Sequence, residues 1–80
     1  QNPFAGKPEG VALLDINLRP TPGVENAPVG LVPKNSRVRV LNIKDNWAEI
    51  DIIEFGRPKE NPEHAERGWV NRRYIEIKEP

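Results

Sequence analysis

Residues 37–52 read Arg37-Val38-Arg39-Val40-Leu41-Asn42-Ile43-Lys44-Asp45-Asn46-Trp47-Ala48-Glu49-Ile50-Asp51-Ile52. Val38 and Val40 alternate with Arg37 and Arg39, and the run from Trp47 to Ile52 alternates in the same way. An apolar residue at every second position puts one face of an extended chain inward and the other in water, as a half-buried strand requires. Lys44-Asp45-Asn46 between the two runs is a tight polar turn. The stretch therefore reads as a β-hairpin, and it sets the fold class.

Period two also appears upstream, from Val11: Leu14, Ile16 and Leu18 share one face, and Asp15, Asn17 and Arg19 the other. Pro20-Thr21-Pro22-Gly23 ends that strand, because two backbone donors are missing. The loop runs to about Pro28, and Val29 and Leu31 offer a short second strand closed by Pro33-Lys34-Asn35-Ser36. Gln1–Gly10, with two Pro, two Gly and the isolated Phe4, reads as a leader over residues 1–10. Downstream, Glu54–Arg67 breaks the alternation. Its charges and its two prolines, Pro58 and Pro62, leave room for one helical turn at most, with Asn61 as cap. It reads as a long, solvated hairpin loop, an insertion over residues 53–67. Gly68-Trp69-Val70 returns to strand, Asn71-Arg72-Arg73-Tyr74 is a single 3₁₀ turn, and Ile75 and Ile77 form the last strand before a tail at 78–80. Short strands between Pro, Gly and Asn loops predict one all-β domain over residues 11–77, a small five-stranded barrel.

Composition narrows the function classes. Eighty residues allow one domain. The absence of Cys rules out disulfides and thiolate chemistry. No apolar run approaches the ~18–20 residues of a membrane-spanning helix. Twelve basic and twelve acidic side chains give zero net charge, which removes the general electrostatic argument for nucleic acid or anionic lipid. A chain that opens at Gln1 with no Met reads as a processed or excised fragment, so its lack of a leader peptide says nothing about location.

The residues resemble a known family. Ile16-Asn17-Leu18-Arg19, a Pro-rich loop and Val29-Gly30 resemble the opening of bacterial Src homology 3 domains. Arg37–Leu41 with Trp47–Ile50 resembles their central hairpin, and Gly68-Trp69-Val70 followed by Tyr74-Ile75 their ending. The resemblance spans roughly residues 11–77. Asn35 stands where the family usually has Gly, and the Glu54–Arg67 loop is longer than usual there. Asn tolerates left-handed backbone better than most residues, so the turn at Asn35 is expected to survive. The resemblance implies an SH3-like barrel that is non-catalytic and serves as an accessory module of an extracytoplasmic protein. It would target cell-wall peptide, or dock beside a neighbouring domain as a spacer.

Candidate chemistry is sparse. Ser36 and Thr21 have no His beside them, so no nucleophile is set up. Glu49 and Asp51 face outward on a strand. His64 among Glu60, Glu63 and Glu66 lacks a rigid frame for a metal ion, so no cofactor and no metal are expected. Arg57, Arg67, Arg72 and Arg73 form a local basic group, but interleaved acids cancel a phosphate-tracking field and no nucleic acid is expected. The aromatics carry more. By the resemblance, Trp47 and Tyr74 fall where eukaryotic relatives line a peptide groove, while Trp69, on the face opposite Val70, is expected to pack under the long loop. Laying Ala12-Leu13-Leu14-Asp15-Ile16 on the relatives' tyrosine-bearing strand puts Leu14 and Ile16 at the two Tyr positions, and Asn71 replaces a groove Pro. Polyproline stacking is therefore weakened. The expected ligand site is a shallow groove with Trp47 and Tyr74 as apolar walls, and with Asn17, Arg19, Asn46 and Arg73 pairing with peptide amides or carboxylates. The isolated domain is expected to be a monomer.

Overall fold

The computed structural model describes residues 6–78, so Phe4 and the ends of the chain lie outside the described residues. Seven short strands follow one another: β1 (Glu9–Ala12), β2 (Ile16–Leu18), β3 (Gly30–Val32), β4 (Arg37–Lys44), β5 (Trp47–Glu54), β6 (Arg67–Asn71) and β7 (Ile75–Lys78), with a 3₁₀ turn at Arg72–Tyr74. Five of them form an antiparallel sheet in the order β6-β5-β4-β1-β7, and β2 and β3 form a second sheet. The two sheets are stitched by the Arg19–Trp69 bridge, in which each residue's N–H donates to the other's carbonyl at 2.8 and 2.7 Å. This is the all-β, SH3-like arrangement expected from the sequence, with its strands divided more finely.

The β4–β5 hairpin forms as read. Lys44 pairs with Trp47 across a two-residue turn, and Asp45 takes φ +54, a left-handed conformation that Asp tolerates. Val38, Val40, Ala48, Ile50 and Ile52 point into the core and their neighbours out. Asn35 likewise adopts φ +72, so the residue in place of Gly keeps the left-handed turn. The 3₁₀ turn at Arg72–Tyr74 is also present, with the Asn71 carboxamide oxygen accepting from the Arg73 N–H at 3.1 Å.

Four readings need correction. The expected strand from Val11 is two strands. β1 begins at Glu9, inside the expected leader, and the chain bends at Leu13-Leu14 to pass from one sheet to the other. Leu14 keeps the phase of Ile16 and Leu18 but sits on that corner, 42% exposed rather than in the core. In the second strand the phase is inverted: Gly30 and Val32 are buried, Leu31 is half-buried and Val29 is exposed. Gly30 takes the inward position, and Val29 the outward one, because the missing side chain of Gly30 admits the Ala65 backbone of the long loop. In that loop, residues 55–66, the single turn allowed for is present at Pro62–Glu63: Asn61 caps it, its side chain accepting from the Glu63 N–H at 2.9 Å, and the His64 N–H donates to the Asn61 carbonyl at 3.0 Å. The loop is not simply solvated, however. Ala65 N–H donates to the Val29 carbonyl at 2.9 Å, Gly56 N–H to Ser36 Oγ at 2.9 Å, and Arg57 grips Asp15 at 2.8 and 3.1 Å. Last, Lys78 continues β7 instead of starting a tail.

Among the described residues the core consists of eleven aliphatic side chains with every strand contributing, and no aromatic ring is fully buried in it. Trp47, Trp69, Tyr74 and Phe55 are all half-buried, so each presents an edge or face to the surface. Large aromatics cover much area, and placing them at the rim leaves apolar walls available to a ligand.

Ion pairs outside the core tie the adjacent strands β1 and β4 together. Arg37 contacts Glu9 at 2.9 Å, and Arg39 contacts the same carboxylate at 3.0 Å. The hydrogen bond from Arg37, joined by the charge of Arg39, holds the Glu9 carboxyl below its ordinary value of 4.5; that from Arg57, with the Lys34 N–H, holds Asp15 below 3.8. Both groups are acids with depressed folded-state values. Their contribution is therefore complete above those ordinary values and is lost as pH falls through the lower folded ones. Stability is expected to be flat from neutrality to about pH 5 and to decline below about pH 4. Glu9→Gln combined with Asp15→Asn should shallow that acid limb in urea midpoints measured against pH. An unchanged limb would show that these pairs are electrostatically idle, as exposed pairs often are.

Candidate functional site

Two adjoining hollows lie on the face formed by β5, β6, the 3₁₀ turn and the segment after β1. The first, of about 310 Å³, is lined by Leu14, Asp15, Ile16, Asn17, Arg19, Val24, Trp47, Asn71 and Tyr74. The second, of about 460 Å³, is lined by Asn46, Asn71, Arg72, Arg73 and Ile75. The six expected site residues divide between them. Asn17, Arg19, Trp47 and Tyr74 meet in the first, whereas Asn46 and Arg73 lie in the second.

Local structure explains how each wall is held. Trp47 opens β5 directly after the Asp45-Asn46 turn and pairs with Asn71 across the sheet. Residues directly opposite on antiparallel strands share a face, so the indole and the Asn71 carboxamide stand side by side. Tyr74 ends the 3₁₀ turn with its carbonyl held by the Leu13 N–H at 2.9 Å, and its ring packs against the core while one side stays open. The Arg73 guanidinium sits 5.9 Å from the centre of that ring, within the range of a cation–π contact. The Arg72 N–H donates to the Asn46 carbonyl at 2.8 Å, which ties the 3₁₀ turn to the β4–β5 turn. On the opposite wall the 19–28 loop folds on itself. Arg19 Nη1 donates to the Asn26 carbonyl at 3.0 Å, and Asn26 Nδ2 donates to Thr21 Oγ1 at 3.2 Å. Val24, 68% exposed, projects from that loop into the first hollow.

Seven lining residues were outside the expected set: Leu14, Asp15, Ile16, Val24, Asn71, Arg72 and Ile75. Leu14 and Ile16 stand at the positions matched to groove tyrosines, so the wall keeps apolar surface without rings. Asn71 belongs to both hollows and is the residue that joins them. Its place as cap of the 3₁₀ turn was the signal available in the sequence.

Other candidates fall elsewhere. The basic group is not one group: Arg57 pairs with Asp15 and Arg67 with Asp51, at 2.6 and 2.8 Å, leaving Arg72 and Arg73 apart from them. Trp69 lies between Glu49 and Arg19 across the strands, which puts it beside the end of β2. Ser36, 0% exposed, has a structural role as acceptor for Gly56 N–H. Among the described residues no three His, Asp or Glu side chains are grouped to hold a metal ion, and no helix is long and apolar enough to cross a membrane.

The sequence model of the bacterial SH3 domain family matches residues 13–76, which covers β2 to β6, the start of β7, the insertion and every residue of the two hollows. The chain belongs to the bacterial SH3 domain family. Membership points to a binding module whose ligands are peptides or proteins. Neither the curated proteins nor the solved structures gave a match.

Proposed function

We propose that the domain is a non-catalytic targeting module that binds an extended peptide of the cell wall in the cleft formed by the two hollows, and so localises an extracytoplasmic parent protein. The observation that supports this reading most directly is the first hollow itself. Apolar walls from Trp47, Tyr74, Leu14 and Val24 surround a few polar side chains, Asp15, Asn17, Arg19 and Asn71, the usual composition of a site that orients a small extended ligand. Apolar side chains this exposed on so small a domain lower its solubility, which a ligand that covers them would offset.

The alternative, a ligand-free spacer docked on a neighbouring domain, draws on the length of the 55–66 segment. That segment is fastened to its own domain through Val29, Ser36 and Asp15, so its length has a local explanation and the cleft reading is preferred. An amide chemical-shift titration with soluble muropeptides tests the choice. Saturable shifts are expected at Leu14–Arg19, Trp47, Asn71 and Tyr74. Trp47→Ala should fold and weaken binding by about tenfold or more, the scale of a buried aromatic anchor. Silence at millimolar muropeptide would discard the cleft reading in favour of docking.

A further inference from the structure

The domain is neutral overall, yet its arginines are not equally neutralised. Arg37 and Arg39 are held by Glu9, Arg57 by Asp15 and Arg67 by Asp51. Arg19, Arg72 and Arg73 are the three arginines with no carboxylate partner among the described residues, and all three line the two hollows. Asp15 is the one carboxylate in the lining. It is already engaged, by the Arg57 guanidinium at 2.8 and 3.1 Å and by the Lys34 N–H at 2.8 Å.

The hydrogen-bonding capacity of the shared residue leans the same way. The Asn71 carboxamide oxygen accepts from the Arg73 N–H, and its NH₂ group adds a donor on a residue that lines both hollows. Guanidinium groups are donors only. The second hollow therefore offers positive charge and N–H donors, with no acid in its lining, while the first supplies apolar walls. Arg73 connects the two, since its guanidinium lies over the Tyr74 ring that walls the first hollow.

From this division we propose that the peptide carries a free carboxylate, seated in the second hollow on Arg72 and Arg73, with the adjoining residues running past Asn71 onto Trp47 and Tyr74. The inference rests on the peptide-binding reading above and adds the chemistry of the ligand's end. Charge-assisted bonds to a carboxylate are about twice as strong as neutral ones, and two guanidinium groups give a fork that an amide cannot satisfy.

The test uses three probes on the domain: a soluble muropeptide with a free terminal carboxylate, the same muropeptide as its terminal amide, and inorganic phosphate. The carboxylate form is expected to bind about tenfold more tightly than the amide, with the gap narrowing as salt rises. Arg72→Gln/Arg73→Gln should abolish that preference, so that acid and amide bind alike, and the domain should still fold because both side chains are exposed and outside the core. Equal affinity of acid and amide would overturn the carboxylate assignment while leaving the cleft reading intact. Binding of neither form would overturn both. Phosphate competing as well as the full muropeptide would also overturn the proposal, since the site would then be reading an anion without its peptide.

Discussion

Leu18→Ala is expected to remove about 3–5 kcal/mol of stability, most of what an 80-residue domain possesses. Leu18 is fully buried on β2, where the two sheets meet. Its neighbours on either side are glycines. A Cβ built on Gly68 would stand 2.9 Å from Leu18 Cγ, and one built on Gly30 would stand 3.3 Å from Leu18 Cδ2. The isobutyl group thus fills space that β3 and β6 leave by having no side chains there. After truncation, the hole would be edged on two sides by backbone, which cannot rotate inward to fill it, so the site sits at the costly end of the Leu→Ala range. Urea denaturation should show a much lower midpoint with the slope unchanged. A loss below about 1.5 kcal/mol would mean that the strands relax into the void and that the two sheets are less rigidly placed than described.

Gly56→Ala is expected to cost about 2–3 kcal/mol, although Gly56 is exposed and its φ is unremarkable. The reason is close approach rather than conformation. An added Cβ would run into the Lys34 carbonyl and would lie 2.9 Å from the Ser36 nitrogen and 3.0 Å from the Asn35 carbonyl carbon. All three are backbone atoms of a turn whose Asn35 already sits at positive φ, so none can yield cheaply. Displacing residue 56 also breaks its N–H bond to Ser36 Oγ and loosens Phe55 from the core. Ser36→Ala alone should cost about 1–2 kcal/mol, by leaving that N–H without its acceptor. The double variant should cost less than the sum, because both changes break one contact. Strict additivity in thermal or urea unfolding would argue that the insertion and the turn are not coupled.

The hairpin and the Gly68–Ile77 ending were legible because their information is local: alternation, turn residues and a cap that acts on its next neighbours. The corner at Leu13-Leu14 was not. Ala12, Ile16 and Leu18 stay in phase across it, so the alternation carries no mark of the bend that moves the chain between sheets. Val29 misled for a related reason. In a three-residue strand either phase has an apolar residue to offer, and the choice is made by Gly30, whose missing side chain admits the backbone of Ala65. Of the candidate site, Trp47 and Tyr74 were readable through the family resemblance, and the polar residues beside them through their position in turns. The division into two hollows was not, since it depends on Asn71, a residue whose significance comes from standing opposite Trp47 in register.

The pairing of β1 with β7 has a mechanical corollary. Glu9 and Lys78, the outer residues of β1 and β7, are register partners in one antiparallel ladder, so their Cα atoms lie about 5 Å apart. Tension applied through these two points opens the ladder pair by pair, like a zipper, instead of shearing all its hydrogen bonds together. By the same token the domain occupies almost no length along the chain that carries it. It can be spliced into a surface loop of a host protein with little strain on either side, and carried there as a side pendant whose unfolding would pay out a long tether.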